Sequence, residues 1–453
     1  MAAKSASPAS AQILSEIGLV DLPDDWAIVR IEDLLSSDRG ISVGVMYPGD
    51  HHPHGIPLIK AGDLSGSRIN STPEYRISPE KHSEYRRTEL AGGELLISLV
   101  GDVGRCAIVP SSMAGWNAAR AVAVLRFHSE SEANFVRACL LSPPFQHLMR
   151  AWSTTTVQAT LNLKEIRQIP LPWPPSSMRD AIANILGTLD DKIELNRRRN
   201  QTLEAMARAL FKDWFVDFGP VRAKMEGQEP YLPAEIWELF PERLDDEGKP
   251  EGWELIPLNG LASLETSSIS PSKSPEAVFE HYSIPAFDAG GMPAMELGDS
   301  IKSNKYKVHT DAVLVSKLNP QTPRIWLPTV ATDHAVCSTE FMQLVPRKRD
   351  DRPFLYCLMV SEVMQAEVLR HVTGSTGSRQ RAQPSQIAKV EVLLPEPNIL
   401  SAFNRKAEPL LRAIADNQRE SQTLTQLRDT LLPKLISGEL RIAEAVKFLE
   451  KSL

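Results

Sequence analysis

The most regular hydrophobic pattern in the chain lies near its middle, in "LDDKIELNRRRNQTLEAMARALFKDWFVDF" (189–218). Apolar residues recur there at alternating spacings of four and three, the heptad pattern of a coiled-coil helix. The two seam positions hold Ile182, Leu189, Asn196, Leu203 and Leu210, and Leu186, Ile193, Asn200, Ala207 and Trp214. The pattern predicts one long helix where a linker between domains would be expected.

A second helix with the same pattern lies near the C-terminus, with Leu410 aligned on Leu189. Its two seam positions hold Phe403, Leu410, Asn417, Leu424 and Leu431, and Ala407, Ile414, Ser421, Arg428 and Leu435. Polar residues interrupt both seams at equivalent positions, with Asn196 and Asn200 in the first helix and Asn417 and Ser421 in the second. A buried amide finds partners in only one alignment of two helices. Two helices of one chain that are separated by a globular domain return beside each other most simply in antiparallel fashion. We therefore predict an antiparallel pair whose register is fixed by Asn196, Asn200, Asn417 and Ser421.

Two alternatives remain open for these helices. Each could be an ordinary amphipathic helix that packs only on its own domain. Pro409 lies inside the second pattern, and a proline within a helix removes one hydrogen bond. The second helix is therefore expected either to start near Pro409 or to bend there.

The rest of the chain also repeats, with offsets that drift as loops differ in length. "DDWAIVRIEDL" (24–34) matches "EGWELIPLNGL" (251–261), each with a tryptophan before a strand. Three further pairs continue the match: "GELLISL" (93–99) with "DAVLVSKL" (311–318), "FVRACLLS" (135–142) with "FLYCLMVS" (354–361), and "EIRQIPLPWPP" (165–175) with "QIAKVEVLLPEP" (386–397). The chain is therefore two copies of one plan.

This plan predicts an α+β fold: two α/β domains separated by two long helices that form an antiparallel coiled coil, with an internal pseudo-two-fold repeat. The predicted boundaries are a flexible tail at 1–12, the first domain at 13–172, a spacer helix at 173–218, a connector with one short helix at 219–250, the second domain at 251–395, a second spacer helix at 396–440 and a C-terminal tail at 441–453.

Composition narrows the class of protein. The chain has 453 residues, of which 42% are hydrophobic and 24% charged, as in folded globular proteins. It has no long apolar run and no secretory start, so we expect a cytoplasmic protein without a membrane partner. The net charge of -7 argues against tight nucleic-acid binding through bulk charge, although not against local basic surfaces. The scattered cysteines predict reduced core residues and no metal site.

Two long stretches resemble one family. "LGTLDDKIELNRRRNQTLEAMARALFKDWFVDFGPVRAK" (186–224) is similar to the central conserved region of the specificity subunits of type I restriction-modification systems. "LRDTLLPKLISGELRI" (427–442) resembles the C-terminal conserved region of the same family. The two-copy plan extends this resemblance over nearly the whole chain.

The resemblance implies a subunit with no catalytic residues and no cofactor of its own. Each variable domain would be a target-recognition domain for one half of a bipartite site in double-stranded DNA. The paired helices would set the gap between the halves and dock two methyltransferase subunits. Restriction subunits, which translocate and cleave DNA, would join that core. S-adenosylmethionine, ATP and Mg would be used by these partners.

Base recognition needs polar and basic side chains on positioned loops, and each copy offers such a loop before its exit strand. The candidates are Thr154, Thr155, Thr156, Gln158, Thr160 and Asn162 in the first copy, and Ser375, Thr376, Ser378, Arg379, Gln380, Arg381 and Gln383 in the second. A second candidate region is the turn after the central strand, with Arg105, and with Lys317 and Arg324 in the other copy; Lys60 completes the set. For any single side chain, solvated surface is the alternative.

Two other classes of function compete with this interpretation. "SPPF" (142–145) matches the short motif with which adenine methyltransferases stack a flipped base, which would make the chain a self-contained DNA methyltransferase. No glycine-rich cofactor loop precedes the motif, so a helix break is the favoured reading. The third class is a coiled-coil protein scaffold that has no role at DNA.

Overall fold

The structure is a computed structural model that describes residues 8–37, 40–65, 68–70, 72–155, 159–373 and 380–452. It divides into two compact units. Unit 1 contains Met1–Glu194 with Thr423–Leu453, and unit 2 contains Leu195–Gln422. Both division points fall inside the long helices, so each unit contains a segment of each helix.

The elements of unit 1 before the first long helix are α1 (Pro8–Glu16), β1 (Ala27–Arg30), α2 (Ile31–Leu34), β2 (Ile41–Val43), β3 (Ile56–Ile59), β4 (Leu64–Ser65), β5 (Arg68–Ile69), β6 (Arg76–Ile77), α3 (Pro79–Glu84), β7 (Leu95–Ser98), β8 (Cys106–Ile108), β9 (Asn117–Ala118), β10 (Val122–Leu125), α4 (Glu130–Leu141), α5 (Pro143–Trp152), β11 (Thr154–Thr155), β12 (Ala159–Thr160), α6 (Leu163–Gln168) and β13 (Pro170–Trp173). The first long helix is α7 (Ser176–Phe215).

The elements that follow are α8 (Gly219–Met225), α9 (Ala234–Trp237), β14 (Glu254–Pro257), α10 (Leu258–Leu261), β15 (Ala262–Glu265), β16 (Ser268–Ile269), β17 (Val278–Tyr282), α11 (Ile284–Asp288), β18 (Ala294–Leu297), β19 (Lys305–Lys307), β20 (Val313–Ser316), β21 (Ile325–Trp326), β22 (Ala335–Cys337), β23 (Phe341–Pro346), α12 (Arg352–Val360), α13 (Glu362–Arg370), β24 (Val372–Thr373), β25 (Arg381–Ala382), α14 (Pro384–Ile387) and β26 (Glu391–Leu394). The second long helix is α15 (Pro397–Ser437), and α16 (Ile442–Ser452) follows it.

The two units share one sheet plan. A four-stranded antiparallel sheet has the order β2-β10-β7-β8 in unit 1 and β15-β23-β20-β21 in unit 2. Its central strands, β7 and β20, are buried along their whole length. Each unit also pairs its first strand with its exit strand, as β1 with β13 and β14 with β26. The repeat predicted from the sequence is therefore confirmed.

A second sheet in each unit varies more. Unit 1 has three strands in the order β6-β3-β9, and unit 2 has five in the order β16-β19-β22-β17-β18. Both sheets contain one parallel pair, β3 with β9 and β17 with β22. The tryptophans that the repeat aligns also make the same turn, because the N–H of Trp26 and of Trp253 each donates to a proline carbonyl three residues earlier, at 2.9 and 3.1 Å.

The long helices pack on each other in antiparallel fashion. In unit 1, Asp190 of α7 bonds to Arg428 of α15. In unit 2, Asn200 of α7 bonds to Asn417 of α15. As the residue number rises along α7, the number of the bonded residue on α15 falls, which confirms the predicted antiparallel pair. The seam is also continuous with the domain cores, since Leu186 and Leu431 belong to the main core of unit 1.

The polar centre of the seam lies in unit 2. Asn196 is fully buried, and its Nδ2 donates to Glu420 Oε2 at 2.6 Å and to Ser421 Oγ at 3.4 Å. Asn417 Nδ2 donates to Asn200 Oδ1 at 2.8 Å. All four residues predicted to fix the register thus face the partner helix.

Three expectations for the helices and the chain ends need correction. Helix α15 runs without a break through Pro409, whose side chain is exposed, so the helix starts at Pro397 and not near Pro409. The expected flexible tail is helical from Pro8, because buried Leu14 ties α1 (Pro8–Glu16) to the core. The segment predicted as a C-terminal tail forms α16, through buried Ala445.

Two further findings complete the fold. The connector contains two short helices, α8 and α9, in place of the one expected. All four cysteines are free and buried, as expected. Along the described part of the chain, no helix is both long enough and apolar enough to span a lipid bilayer.

We expect Asn196→Ala to lower the free energy of unfolding by about 1–3 kcal/mol, because it removes a fully buried amide that donates to half-buried polar groups on α15. Urea denaturation followed by circular dichroism measures this change. Gln201→Ala, on the exposed side of the same helix, is the control and should change stability by less than about 0.5 kcal/mol. Equal effects of the two substitutions would contradict a role for the polar seam.

Candidate nucleic-acid interface

In unit 1 the candidate loop and the candidate turn are joined by backbone hydrogen bonds. The loop is the hairpin of β11 and β12, and the turn follows central strand β7. The N–H of Gly101 donates to the carbonyl of Ala159 at 3.0 Å, and the N–H of Leu161 donates to the carbonyl of Leu99 at 2.9 Å. Two regions that the sequence offered separately therefore form one surface.

Unit 2 repeats the same junction with the hairpin of β24 and β25 and the turn after β20. The N–H of Asn319 donates to the carbonyl of Gln380 at 3.1 Å, and the N–H of Ala382 donates to the carbonyl of Lys317 at 2.9 Å. These backbone hydrogen bonds join equivalent residues in the two units and form the same backbone frame, although the side chains on it differ. We call the two surfaces the hairpin–turn surfaces of units 1 and 2.

The turn itself needs a left-handed backbone at one equivalent position in each unit. Gly101 has a φ of 82° and Asn319 a φ of 48°. Glycine adopts this region freely, and asparagine is among the few other residues that tolerate it. The same backbone bend is thus obtained from different residues.

Two candidate arginines occupy equivalent places in the two turns. The N–H of Ser98 donates to the carbonyl of Arg105, and the N–H of Ser316 to that of Arg324, both at 2.9 Å. Each guanidinium is held by a carboxylate. Arg105 Nε lies 2.7 Å from Asp102 Oδ2, and Arg324 donates to both oxygens of Asp288, at 2.6 and 2.9 Å. Their charges are therefore compensated within the protein.

Lys60 belongs to a segment that contacts the same turn. Its exposed ammonium lies 4.0 Å from the ring centroid of Tyr75, within the range of a cation–π contact. Four residues later, the carbonyl of Leu64 accepts a hydrogen bond from Arg105 Nη1 at 2.9 Å. The structure thereby brings the Lys60 segment beside the hairpin–turn surface of unit 1.

The unit 1 hairpin presents small hydroxyl and amide groups. Thr154 pairs with Thr160, and its Oγ1 donates to the Thr160 carbonyl at 3.3 Å. Asn162 is exposed at the start of α6, and its side chain makes no capping hydrogen bond. Thr155 lies in β11. Thr156 and Gln158 lie outside the described residues.

The unit 2 hairpin is more basic and more tightly held. Arg381 makes a bidentate pair with Glu340, with Nε–Oε2 at 3.0 Å and Nη2–Oε1 at 2.9 Å. Gln383 Nε2 donates to Thr373 Oγ1 at 2.6 Å. Gln380 and Lys317 are half-buried beside this pair. The remaining candidates lie outside the described residues: Ser375, Thr376, Ser378 and Arg379.

Sequence reasoning missed the carboxylates that hold the arginines. Asp288 lies on α11, and Glu340 immediately precedes β23, so both are far along the chain from Arg324 and Arg381. No local spacing signals such pairs. Only the fold brings them together.

The "SPPF" motif is a structural helix break. Ser142 is buried between α4 and α5, and its Oγ donates to the Cys139 carbonyl at 2.7 Å. Phe145 is fully buried in the core, so its ring is not available to a flipped base. Ser361 makes the same bond to the Leu358 carbonyl, at 2.7 Å, in unit 2. Within the residues that the structure describes, no cluster of three histidine, cysteine or acidic side chains could hold a metal ion.

Comparisons with known proteins agree with this architecture. Residues 23–205 match the family described as "Type I restriction modification DNA specificity domain". The MjaIX specificity subunit of Methanocaldococcus jannaschii is 24% identical over 450 residues, covering 95% of this chain and 96% of that protein. The HindI specificity subunit of Haemophilus influenzae is 26% identical over 352 residues, 65% of this chain and 74% of that protein.

A solved structure agrees at the level of the fold. The crystal structure of the type I restriction-modification S subunit from M. genitalium covers 92% of this chain and 98% of its own, with a TM-score of 0.53 and 16% sequence identity. The matched family and relatives are those to which the sequence resemblance pointed, and this structure supports the predicted fold.

We expect Glu340→Gln to loosen the unit 2 hairpin, because it removes the carboxylate that chelates Arg381. The amides of β24 and β25 should exchange with deuterium about threefold faster, measured by mass spectrometry. Asp416→Asn, which breaks an exposed ion pair with Arg419, is the matched control and should leave these amides unchanged. Unchanged exchange in Glu340→Gln would show that backbone pairing alone holds the hairpin.

Proposed function

We propose that this chain, a specificity subunit of the type I restriction-modification family, directs a methyltransferase and endonuclease complex to a bipartite DNA sequence. Each hairpin–turn surface would contact one half of the site. The chain would carry out no chemistry itself. S-adenosylmethionine, ATP and Mg would be bound by the partner subunits.

One observation carries this proposal. The two units share the same backbone frame at the hairpin–turn surface, yet they differ at the side chains that the frame presents. Thr160 in unit 1 stands where Arg381 stands in unit 2, and Gly101 stands where Asn319 stands. A conserved frame with different polar groups is what two domains need if each recognises a different base sequence.

Partners are needed for affinity. A net charge of -7 repels the phosphate backbone at long range. The arginines nearest the candidate surfaces, Arg105, Arg324 and Arg381, are each paired with a carboxylate. We therefore propose that tight binding requires two methyltransferase subunits docked on the helix pair, with the restriction subunits joining that core.

The paired helices would set the length of DNA between the two half-sites, whose sequence is not recognised. Helix α7 contains 40 residues, which at 1.5 Å per residue make a rod of roughly 60 Å. Half-sites on one face of DNA lie about 34 Å apart for one helical turn. A rod of this length would be long enough for such a separation.

Exchanging residues 13–172 for the first recognition domain of a different specificity subunit should change one half of the methylated sequence and leave the other half intact. The variant is expressed with its methyltransferase subunits, and methylated bases are mapped across the host genome. The reciprocal exchange of residues 251–395 is the control and should change only the other half.

Two outcomes would count against the proposal. One is a change in both halves, or in neither, after a single exchange. The other is stoichiometric S-adenosylmethionine binding by the purified chain alone, measured by calorimetry. That second result would favour a self-contained methyltransferase, which the burial of Phe145 already disfavours.

Asp288→Asn should strengthen DNA binding by the assembled complex, because it frees the Arg324 charge for a phosphate. We expect affinity to rise about threefold and the plot of log affinity against log salt to steepen by about 0.9. Fluorescence anisotropy with a labelled duplex measures both. Asp299→Asn makes the same charge change at an exposed pair with Lys302 and should have a smaller effect. A slope identical to that of the parent would exclude a phosphate contact by Arg324.

A further inference from the structure

A buried ion triad joins three elements of unit 1. Asp190 of α7 lies between two arginines, with Oδ2 3.3 Å from Nη2 of Arg137 on α4 and Oδ1 2.9 Å from Nη1 of Arg428 on α15. The side chains of Arg137 and Asp190 are only 12% and 13% exposed. One carboxylate therefore links a helix of the first domain to both long helices.

The repeat shows what occupies the same place in unit 2. The match of Phe135 with Phe354 places Arg137 on Tyr356. When the two long helices are aligned, Asp190 is equivalent to Leu411 and Arg428 is equivalent to Ala207. These two positions are buried, at 3% and 1% exposure, in the main core of unit 2. The same fold therefore builds this joint mainly from apolar groups, with half-buried Tyr356, in one copy and from ions in the other.

The ionic joint is not required for folding as such. A buried ion triad can often be replaced by apolar residues at no cost in stability, whereas removal of one partner leaves an uncompensated charge. Apolar contact is non-directional. A carboxylate held by two guanidinium groups fixes both distance and angle, so its distinct contribution is to orientation.

A second ionic contact lies one turn further along the same helix. Arg68 Nε of β5 lies 3.2 Å from Glu194 Oε2 of α7. Residues four apart lie on the same face of a helix, so Asp190 and Glu194 hold the first domain at two successive points. Two contacts along one face resist rotation about either of them.

We propose that Asp190 is a positioning residue that fixes the orientation of the first recognition domain on the helix pair, and thereby the length of gap that the complex accepts between its half-sites. This inference rests on the proposed function. In unit 2 the mainly apolar joint would allow the second domain small changes of orientation on the helices. The ionic joint of unit 1 would therefore determine which gap lengths the complex accepts.

The test uses the complex assembled with its methyltransferase subunits. Methylation rates are measured on duplexes with the mapped gap and with gaps one base pair shorter and longer. The main variant grafts the unit 2 residues into unit 1, as Arg137→Tyr, Asp190→Leu and Arg428→Ala. We expect the graft to melt at the parental temperature, because it leaves no unpaired buried charge and Asp429, which loses Arg428, is exposed. Its preference for the mapped gap should fall about tenfold.

Two single substitutions complete the design. Asp190→Asn takes the carboxylate from buried Arg137 and leaves Arg428 with Asp429 alone, so both stability and gap preference should fall. Asp191→Asn, at the exposed neighbouring position, is the matched control and should keep the parental preference. A graft that retains the parental gap preference would overturn the positioning role. If the parental complex itself methylates without sequence preference, the proposed function fails, and this inference fails with it.

Discussion

The antiparallel packing of α7 on α15 is the constraint on which the rest of the structure depends. Residues of the helix seam also belong to the hydrophobic core of each unit. Leu186 and Leu431 lie in the core of unit 1, and Trp214 and Phe403 lie in the core of unit 2. A shift in helix register would therefore displace core residues in both units. Packing against a close-packed interior makes such a shift costly, so the helix pair cannot be treated as an independent linker.

A second constraint explains why the hairpin–turn frame is the same in both units although the side chains on it differ. The hairpin–turn junction is held by backbone bonds, such as Gly101 to Ala159 and Asn319 to Gln380. Backbone pairing does not depend on side-chain identity, apart from the left-handed position in each turn. The side chains on the frame can therefore change without loss of the fold, as the proposed recognition of two different half-sites would require.

Periodicity made most of the architecture predictable. The heptad pattern predicted the two long helices and their pairing. The repeated segments "GELLISL" and "DAVLVSKL" predicted equivalent central strands, which are β7 and β20. Long-range pairs were not predictable, since Asp288 reaches Arg324 across 36 residues and Glu340 reaches Arg381 across 41. For Pro409 the sequence left open a helix start or a bend, and α15 runs from Pro397 through Pro409, which excludes the start; the loss of one hydrogen bond does not end the helix.

The charge distribution fits the proposal that recognition depends on assembly. The arginines nearest the candidate surfaces are balanced by carboxylates, and the net charge is -7. A free chain built this way has little attraction for arbitrary DNA, because non-specific binding comes almost entirely from phosphate neutralisation. Under the proposed function, affinity would come from the assembled complex. Discrimination between sequences would then rest on the polar groups of each hairpin–turn surface and on the orientation of each domain on the helices.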